Sequence, residues 1–214
     1  MKQKSYIDSH KGITFFFIIF LINFYNSWSD IIALTYLSLH GTYGVLWVLK
    51  SKIFPDKQWE QKCSLGYGIF IWLGLSLYWI APIIIVSGNH ILEFDPNFIH
   101  PNAYIALCIS MYIFGVFLHF VSDMQKYIYL KLNPGNLITT EMFSKIRNVN
   151  YFGELLIYLG FSLLAMDFAP LIVILLFFIV IWMPNMSKKD TSLSKYENFE
   201  KYKSKTSKFF PFIY

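Results

Sequence analysis

Arg147 is the residue that most directly suggests chemistry, because it is the only arginine among 18 basic residues. A planar guanidinium can hold a phosphate or a carboxylate through two parallel hydrogen bonds, which a lysine cannot do. If the segment is helical, one face carries Arg147 followed at intervals of three or four by Asn150 or Tyr151, Glu154 and Tyr158. This spacing predicts a binding face for an anionic group. The alternative is an ion pair between Arg147 and Glu154 that anchors a helix end.

Two further stripes carry polar side chains at helical spacing. His119, Asp123 and Tyr127 follow one another at intervals of four. The second stripe runs along a more N-terminal apolar segment through Tyr36, His40, Tyr43, Trp47 and Lys50. A neutral histidine beside tyrosines can polarise a carbonyl or donate a proton, so Tyr43 and His40 are our candidate catalytic residues. His40 can equally be an interhelical hydrogen-bonding residue.

Several common sites are missing from the sequence. It contains no HExxH, CxxC or paired-histidine motif for a metal, no GxSxG serine nucleophile, and no glycine-rich nucleotide loop. The two cysteines, Cys63 and Cys108, are too few for a disulfide-stabilised secreted scaffold. We therefore predict no metal site, and any nucleotide must bind at a mouth built of helices.

The composition indicates which elements position these residues. Of 214 residues, 56% are apolar and only 14% are charged, and the mean hydropathy is +0.46. A soluble domain is about one quarter charged, so most of this surface faces something other than water. The fold class predicted is an all-α, polytopic membrane helix bundle. The lipid bilayer is then the main partner, nucleic acid is excluded despite the net charge of +5, and no obligate protein partner can be inferred.

A spanning helix needs about 20 mostly apolar residues, and six uncharged apolar windows are present. They cover residues 13–25, 31–49, 65–87, 102–121, 155–166 and 168–186. The fifth window is short, and only Asp167 and the nearby Pro170 separate it from the sixth. We expect these two to form a tight helical hairpin whose first arm does not fully cross.

The basic residues indicate the topology, because cytoplasmic loops carry the excess of lysine and arginine. All 18 lie at the amino terminus, in residues 50–63, in residues 122–153 or in the tail, whereas the alternate loops carry acidic residues such as Glu93 and Asp95. Six spans with both termini in the cytoplasm satisfy this pattern. The membrane would be the endoplasmic reticulum in a eukaryote or the inner membrane in a bacterium.

The tail predicts one more element. Residues 192–206 repeat Leu193, Tyr196, Phe199 and Tyr202 near helical spacing, with lysines on the other face. We predict an amphipathic helix at the membrane surface. Attraction of the lysines to anionic lipid is the alternative reading.

Several motifs, taken in order, resemble a known family. They are S-D-x-Q-K at 122–126, P-G at 134–135, L-I-T-x-x-M-F at 137–143 and R-N-x-N-Y-F-G-E at 147–154, followed by P-N-M at 184–186. This order resembles the carboxy-terminal domain of the steroid 5-alpha-reductase superfamily, in its uncharacterised membrane branch, over residues 110–214. H-G-x-Y-G at 40–44 resembles the same branch more weakly.

The resemblance implies a helix bundle whose cytoplasmic mouth holds NADPH. The family's cofactor-lining positions fall on Asp123, Arg147, Asn150 and Glu154, with Tyr151 beside them, and its basic and tyrosyl tail positions fall near Lys189 and Tyr196. Residues 1–101 would then form a three-helix part on the substrate side and residues 102–214 the cofactor part of one membrane domain.

The implied reaction is reduction of a carbon–carbon double bond in a small apolar lipid. Such a lipid would enter from the bilayer and meet the cofactor between the second, fourth and fifth spans. The residues that hold a steroid ketone in true 5-alpha-reductases have no clear counterpart, so a steroid does not follow.

Two alternatives remain open from the sequence. The isoprenylcysteine carboxyl methyltransferases share part of the arginine motif and use S-adenosylmethionine. Where they carry a Glu-Glu pair, this chain has Lys189-Asp190, and Asn148 replaces their usual histidine. A non-catalytic lipid-binding membrane protein is the second alternative, in which the polar stripes are structural.

Overall fold

The computed structural model describes residues 1–89, 91–92 and 100–211. The chain is 76% helical, and no strand occurs among these described residues. Glu93 and Asp95, which the topology prediction uses, lie outside them. The prediction of an all-α polytopic membrane protein is confirmed.

Six helices correspond to the six apolar windows. Five are long and apolar enough to cross a membrane: α1 (Gln3–Phe24), α2 (Ile31–Ile53), α3 (Leu65–Ser87), α4 (Pro101–Leu132) and α6 (Phe168–Leu193). The remaining helix, α5 (Val149–Ala165), is apolar but shorter. The fifth window was predicted to be the short one, and it is.

Several helices extend beyond the predicted windows. The window from 102 to 121 is part of a helix that continues to Leu132, and the window from 13 to 25 belongs to a helix that starts at Gln3. A hydropathy window ends at the first charged residue, whereas the backbone hydrogen bonds of a helix continue through polar residues. The extension of α4 is what carries Asp123 and Lys126 on a rigid element.

Side chains at the first residues explain where several helices begin. The Asp30 carboxylate accepts a hydrogen bond from the Ile32 amide at 2.8 Å, and the Ser64 hydroxyl accepts one from the Tyr67 amide at 3.2 Å. The Asp167 carboxylate accepts one from the Ala169 amide at 2.7 Å at the start of α6. Each satisfies an amide that a helix end leaves unpaired.

Two prolines explain local changes in helix pitch. A proline lacks an amide hydrogen and its ring collides with the carbonyl four residues earlier. Pro82 follows a tight turn at Leu77–Trp79 within α3, and Pro184 follows a wide π-type turn at Phe178–Trp182 within α6. A second π-type turn at Leu37–Gly41 contains His40.

The tail differs from its prediction. Residues 192–206 do not form one helix: α6 ends at Leu193, a turn follows, and a short helix α7 covers Phe199–Lys203. Of the four apolar residues in the predicted pattern, Phe199 and Tyr202 are buried, at 2% and 7% exposed, and Leu193 and Tyr196 are half-buried. The single continuous helix was wrong, and the position of this segment at the membrane surface stays a prediction.

The chain divides into two compact units that share α4, α5 and α6. Unit 1 contains Met1–Tyr112 and Leu159–Val173, and unit 2 contains Ile113–Tyr158 and Ile174–Tyr214. The division thus falls within α4, α5 and α6, whereas the sequence suggested a boundary after residue 101. The assignment of one part to substrate and one to cofactor stays a prediction.

Candidate functional site

In unit 2, two glycines allow α4 and α5 to approach closely. A Cβ atom on Gly153 would lie 2.5 Å from the His119 amide nitrogen and 2.8 Å from the Gly115 carbonyl oxygen. A Cβ on Gly115 would lie 2.6 Å from the Gly153 carbonyl oxygen. Small residues at a crossing let helix backbones touch in a membrane. The position of this crossing along α4 and α5 determines which polar residues of the two helices lie opposite each other.

A buried polar row on α4 begins at this crossing. His119 and Asp123 are each 2% exposed, and His119 Nε2 lies 3.9 Å from Asp123 Oδ2. The other carboxylate oxygen of Asp123 accepts a hydrogen bond from Lys126 Nζ at 3.2 Å. His119 Nδ1 lies 3.0 Å from the Asn150 carbonyl oxygen on α5, so Nδ1 carries the proton and donates. The predicted row of His119 and Asp123 is therefore a buried cluster that also contacts α5.

Arg147 immediately precedes α5 and is 5% exposed. Its Nε and Nη2 donate to the two carboxylate oxygens of Asp190, each at 3.3 Å. Its Nη1 donates to the carbonyl oxygens of Lys203 and Thr206 and to the Thr206 hydroxyl. The fork therefore binds a carboxylate, as the sequence suggested it could, and the partner is Asp190. Direct contact with a phosphate requires Asp190 to move away.

The segment before α5 is held to the tail by further hydrogen bonds. The Arg147 amide donates to the Ser207 carbonyl at 2.9 Å, and Lys189 Nζ donates to the Arg147 carbonyl at 2.9 Å. Nearby, the Tyr202 hydroxyl donates to the Phe143 carbonyl at 2.7 Å, and burial raises the pKa of this phenol. The start of α5 is thus positioned by residues about 40 to 60 positions later in the chain.

Two asparagines at the start of α5 carry amide oxygens without donors. Asn148 is fully buried; its Nδ2 donates to the Lys208 carbonyl at 2.9 Å, but its Oδ1 has no hydrogen-bond partner among the described residues. Asn150 Oδ1 is also buried and lacks a donor within the same ranges. An unsatisfied buried acceptor costs about 1–3 kcal/mol. Two of them, only two residues apart in the sequence, mark a place where a ligand with N–H or O–H groups would be stabilised.

The other predicted cofactor residues also lie in unit 2. Tyr151 and Glu154 are half-buried on α5, and the ring of Tyr151 lies 6.1 Å from that of Trp182. Tyr196 is half-buried in the turn between α6 and α7. All seven predicted cofactor residues therefore belong to one unit.

The two candidate catalytic residues lie in unit 1, on the buried face of α2. His40 is 6% exposed, its Nδ1 lies 2.7 Å from the Tyr36 hydroxyl, and its ring stacks on Phe161 at 4.2 Å. Tyr43 is 1% exposed, and the ammonium of Lys11 lies 4.3 Å above the centre of its ring. The stripe read from the sequence is thus an interior face of α2, and the buried ammonium of Lys11 on α1 packs against it.

Sequence reasoning missed three residues that shape these clusters. Lys11 was counted only as a topology marker, although it is 7% exposed and also lies 4.2 Å from the Trp47 ring. Asp190 was considered only as part of a tail pair, and Asn148 only as a replacement for histidine. No local signal identifies Asp190 as the partner of Arg147, because 43 residues separate them. Among the described residues, no group of three or more His, Cys, Asp or Glu side chains could hold a metal ion.

Comparison with known proteins gives one match. A protein-family model described as "Protein of unknown function (DUF1295)" matches residues 56–209, which is more than half of the chain. No curated protein and no solved structure matches significantly.

Proposed function

Since the chain belongs to this DUF1295 family, which brings no activity with it, we propose that it is a membrane-embedded, NADPH-dependent reductase of a carbon–carbon double bond in a lipid. The motifs at 122–126 and 147–154, which resemble the steroid 5-alpha-reductase superfamily, support this proposal. They lie on the α4 and α5 segments that form the buried polar cluster of unit 2.

The observation that carries the proposal is the pair of unsatisfied amide oxygens on Asn148 and Asn150. The carboxamide of a nicotinamide and the hydroxyls of a ribose are donors of the kind these oxygens require. Asp123 can accept from a ribose hydroxyl in the same cluster, and Lys126 and Lys189 supply positive charge for phosphates. The residues present therefore fit this cofactor, and Glu154, Tyr151 and Tyr196 complete the proposed site.

Arg147 has a positioning role in this proposal. By binding Asp190 and the tail carbonyls it keeps Asn148 and Asn150 at the start of α5 in place. When bound, NADPH supplies the hydride for the reduction.

The oxygen of a polarised substrate needs a hydrogen-bond donor where negative charge develops. We assign this role to the Tyr43 phenol, with His40 in support. The Lys11 ammonium beside the Tyr43 ring would stabilise negative charge there. Tyr43→Phe should lower turnover far more than it changes NADPH affinity, because the lost hydrogen bond belongs to the transition state.

The test is NADPH binding to the purified full-length chain, measured by isothermal titration calorimetry. We expect saturable binding that Asn150→Ala weakens about tenfold, as loss of one or two hydrogen bonds implies. Asn102→Ala removes an exposed asparagine at the start of α4 and serves as the matched control, with unchanged affinity expected.

Two results would contradict the proposal. Binding of S-adenosylmethionine in place of NADPH, with methyl transfer, would establish the methyltransferase. Absence of binding by either compound would favour a non-catalytic lipid-binding protein.

A further inference from the structure

Unit 1 has an open groove on its surface between α1 and α3, with a volume of about 340 Å³. This volume lies in the range of small-molecule sites. The residues that line it include Ser5, Tyr6 and Ser9 from α1 and Ile69, Trp72 and Leu73 from α3. Both helices are apolar and long enough to cross a membrane. A ligand in this groove would therefore come from the bilayer.

A buried histidine contacts Trp72, one of the residues that line the groove. His10 is 2% exposed, and neither of its ring nitrogens has a hydrogen-bond partner among the described residues. Its ring stacks on Trp79 at 4.7 Å and meets the edge of Trp72 at 5.1 Å. The indole N–H of Trp79 is already donated to the Thr14 hydroxyl at 3.0 Å, so it does not satisfy the imidazole.

The register of the two helices places His10 next to the groove. The Tyr6 ring lies directly over Gly68, where a Cβ atom would come within 2.2 Å of it. One helical turn further along both helices, His10 meets Trp72. Trp72 both lines the groove and contacts His10, so it connects the groove to the imidazole.

We propose that this groove and His10 form a binding site for a long-chain lipid alcohol. The aliphatic chain would lie against Ile69 and Leu73, and the hydroxyl would reach His10 past the edge of Trp72. A neutral imidazole has one donor and one acceptor nitrogen, which point in different directions; a hydroxyl can accept from the first or donate to the second, whichever it meets. An alkane satisfies neither nitrogen, and a carboxylate only accepts. None of the groove residues, nor His10, belongs to the proposed cofactor set.

The experiment measures binding of tritiated oleyl alcohol to the full-length chain by scintillation proximity. We expect saturable binding that unlabelled oleyl alcohol displaces and octadecane does not. His10→Leu should weaken it about tenfold by removing the hydrogen bond between the imidazole and the hydroxyl. His10→Gln keeps a donor and an acceptor and should retain affinity within about threefold. If the His10→Leu protein does not fold, the affinity of His10→Gln is measured in its place.

A matched pair of variants tests the groove itself. Leu73→Trp fills the groove and should abolish binding. Leu77→Trp places the same side chain one turn along α3, where the native leucine is also exposed, and should leave binding unchanged. The proposal is overturned by equal losses in both variants, by displacement with octadecane, or by an absence of saturable binding.

Discussion

At the scale of single residues, the side-chain chemistry of Arg147 suggests the type of group it binds but not the partner. Its uniqueness in a lysine-rich chain predicts a two-pronged contact with an anionic group of a ligand, or else an ion pair with Glu154. In the structure the fork binds a carboxylate of the chain itself, and contact with a ligand stays a prediction. The carboxylate belongs to Asp190, whose side chain is 17% exposed against 6% for Arg147. A lysine cannot reach both carboxylate oxygens and the tail carbonyls at once.

Exchange of either partner of this ion pair tests the role of Arg147. Arg147→Lys and Asp190→Asn should each destabilise the protein by about 1–3 kcal/mol, because charged hydrogen bonds are lost. Both should weaken NADPH binding by a similar factor, since the start of α5 is no longer held. Thermal unfolding in detergent and calorimetric titration measure the two effects.

The same two variants also distinguish a positioning role of Arg147 from direct contact of its guanidinium with the cofactor. If the guanidinium instead bound a cofactor phosphate, Asp190→Asn would free it, and NADPH affinity would rise while Arg147→Lys lowered it. That opposite response would refute the positioning role.

At the scale of elements, the crossing of α4 and α5 determines which polar groups meet. Gly115 and Gly153 bring the backbones together so that His119 reaches the Asn150 carbonyl. The motif around Gly153 was recognised as a sequence pattern. Gly153 is needed because the backbone of α4 packs directly against it, and a sequence pattern around Gly153 does not show which helix lies opposite.

Gly153→Ala tests this close approach. The new methyl group would lie 2.5 Å from the His119 amide nitrogen, so the helices must separate. Overpacking of this kind costs about 1–3 kcal/mol, and we expect a lower midpoint of thermal unfolding. Gly66→Ala is the control, because nothing lies within 4 Å of its added Cβ and alanine favours helix. A decrease as large in Gly66→Ala would show that the crossing is not the cause.

At the scale of the whole molecule, the lysine distribution predicts an orientation in the membrane. We propose that both termini and residues 50–63 and 122–153 face the cytoplasm, because all 18 basic residues lie in these stretches and the tail. This orientation would give the proposed water-soluble cofactor access to the segments that carry Asp123 and Arg147.

Cysteine labelling tests this orientation. In a Cys63→Ser background, Asn89→Cys should react with a membrane-impermeant maleimide added outside intact cells, because it follows α3 in a loop without basic residues. Lys57→Cys should react only after the membrane is permeabilised. Both native side chains are exposed, so accessibility within the protein is matched. The reverse pattern of labelling would invert the topology.

The sequence by itself determined the membrane class, the six helices and their polar faces. These follow from local properties, namely hydropathy over about 20 residues and the 3.6-residue period of a helix. It could not determine that Arg147 binds Asp190, that Lys11 lies against Tyr43, or that the tail breaks into two helical pieces. Each depends on which distant segments pack together, because a side chain takes its hydrogen-bond partners from whatever the fold brings within about 3 Å. The unsatisfied oxygens of Asn148 and Asn150 belong to the same class, since only the packed structure shows that no donor reaches them among the described residues.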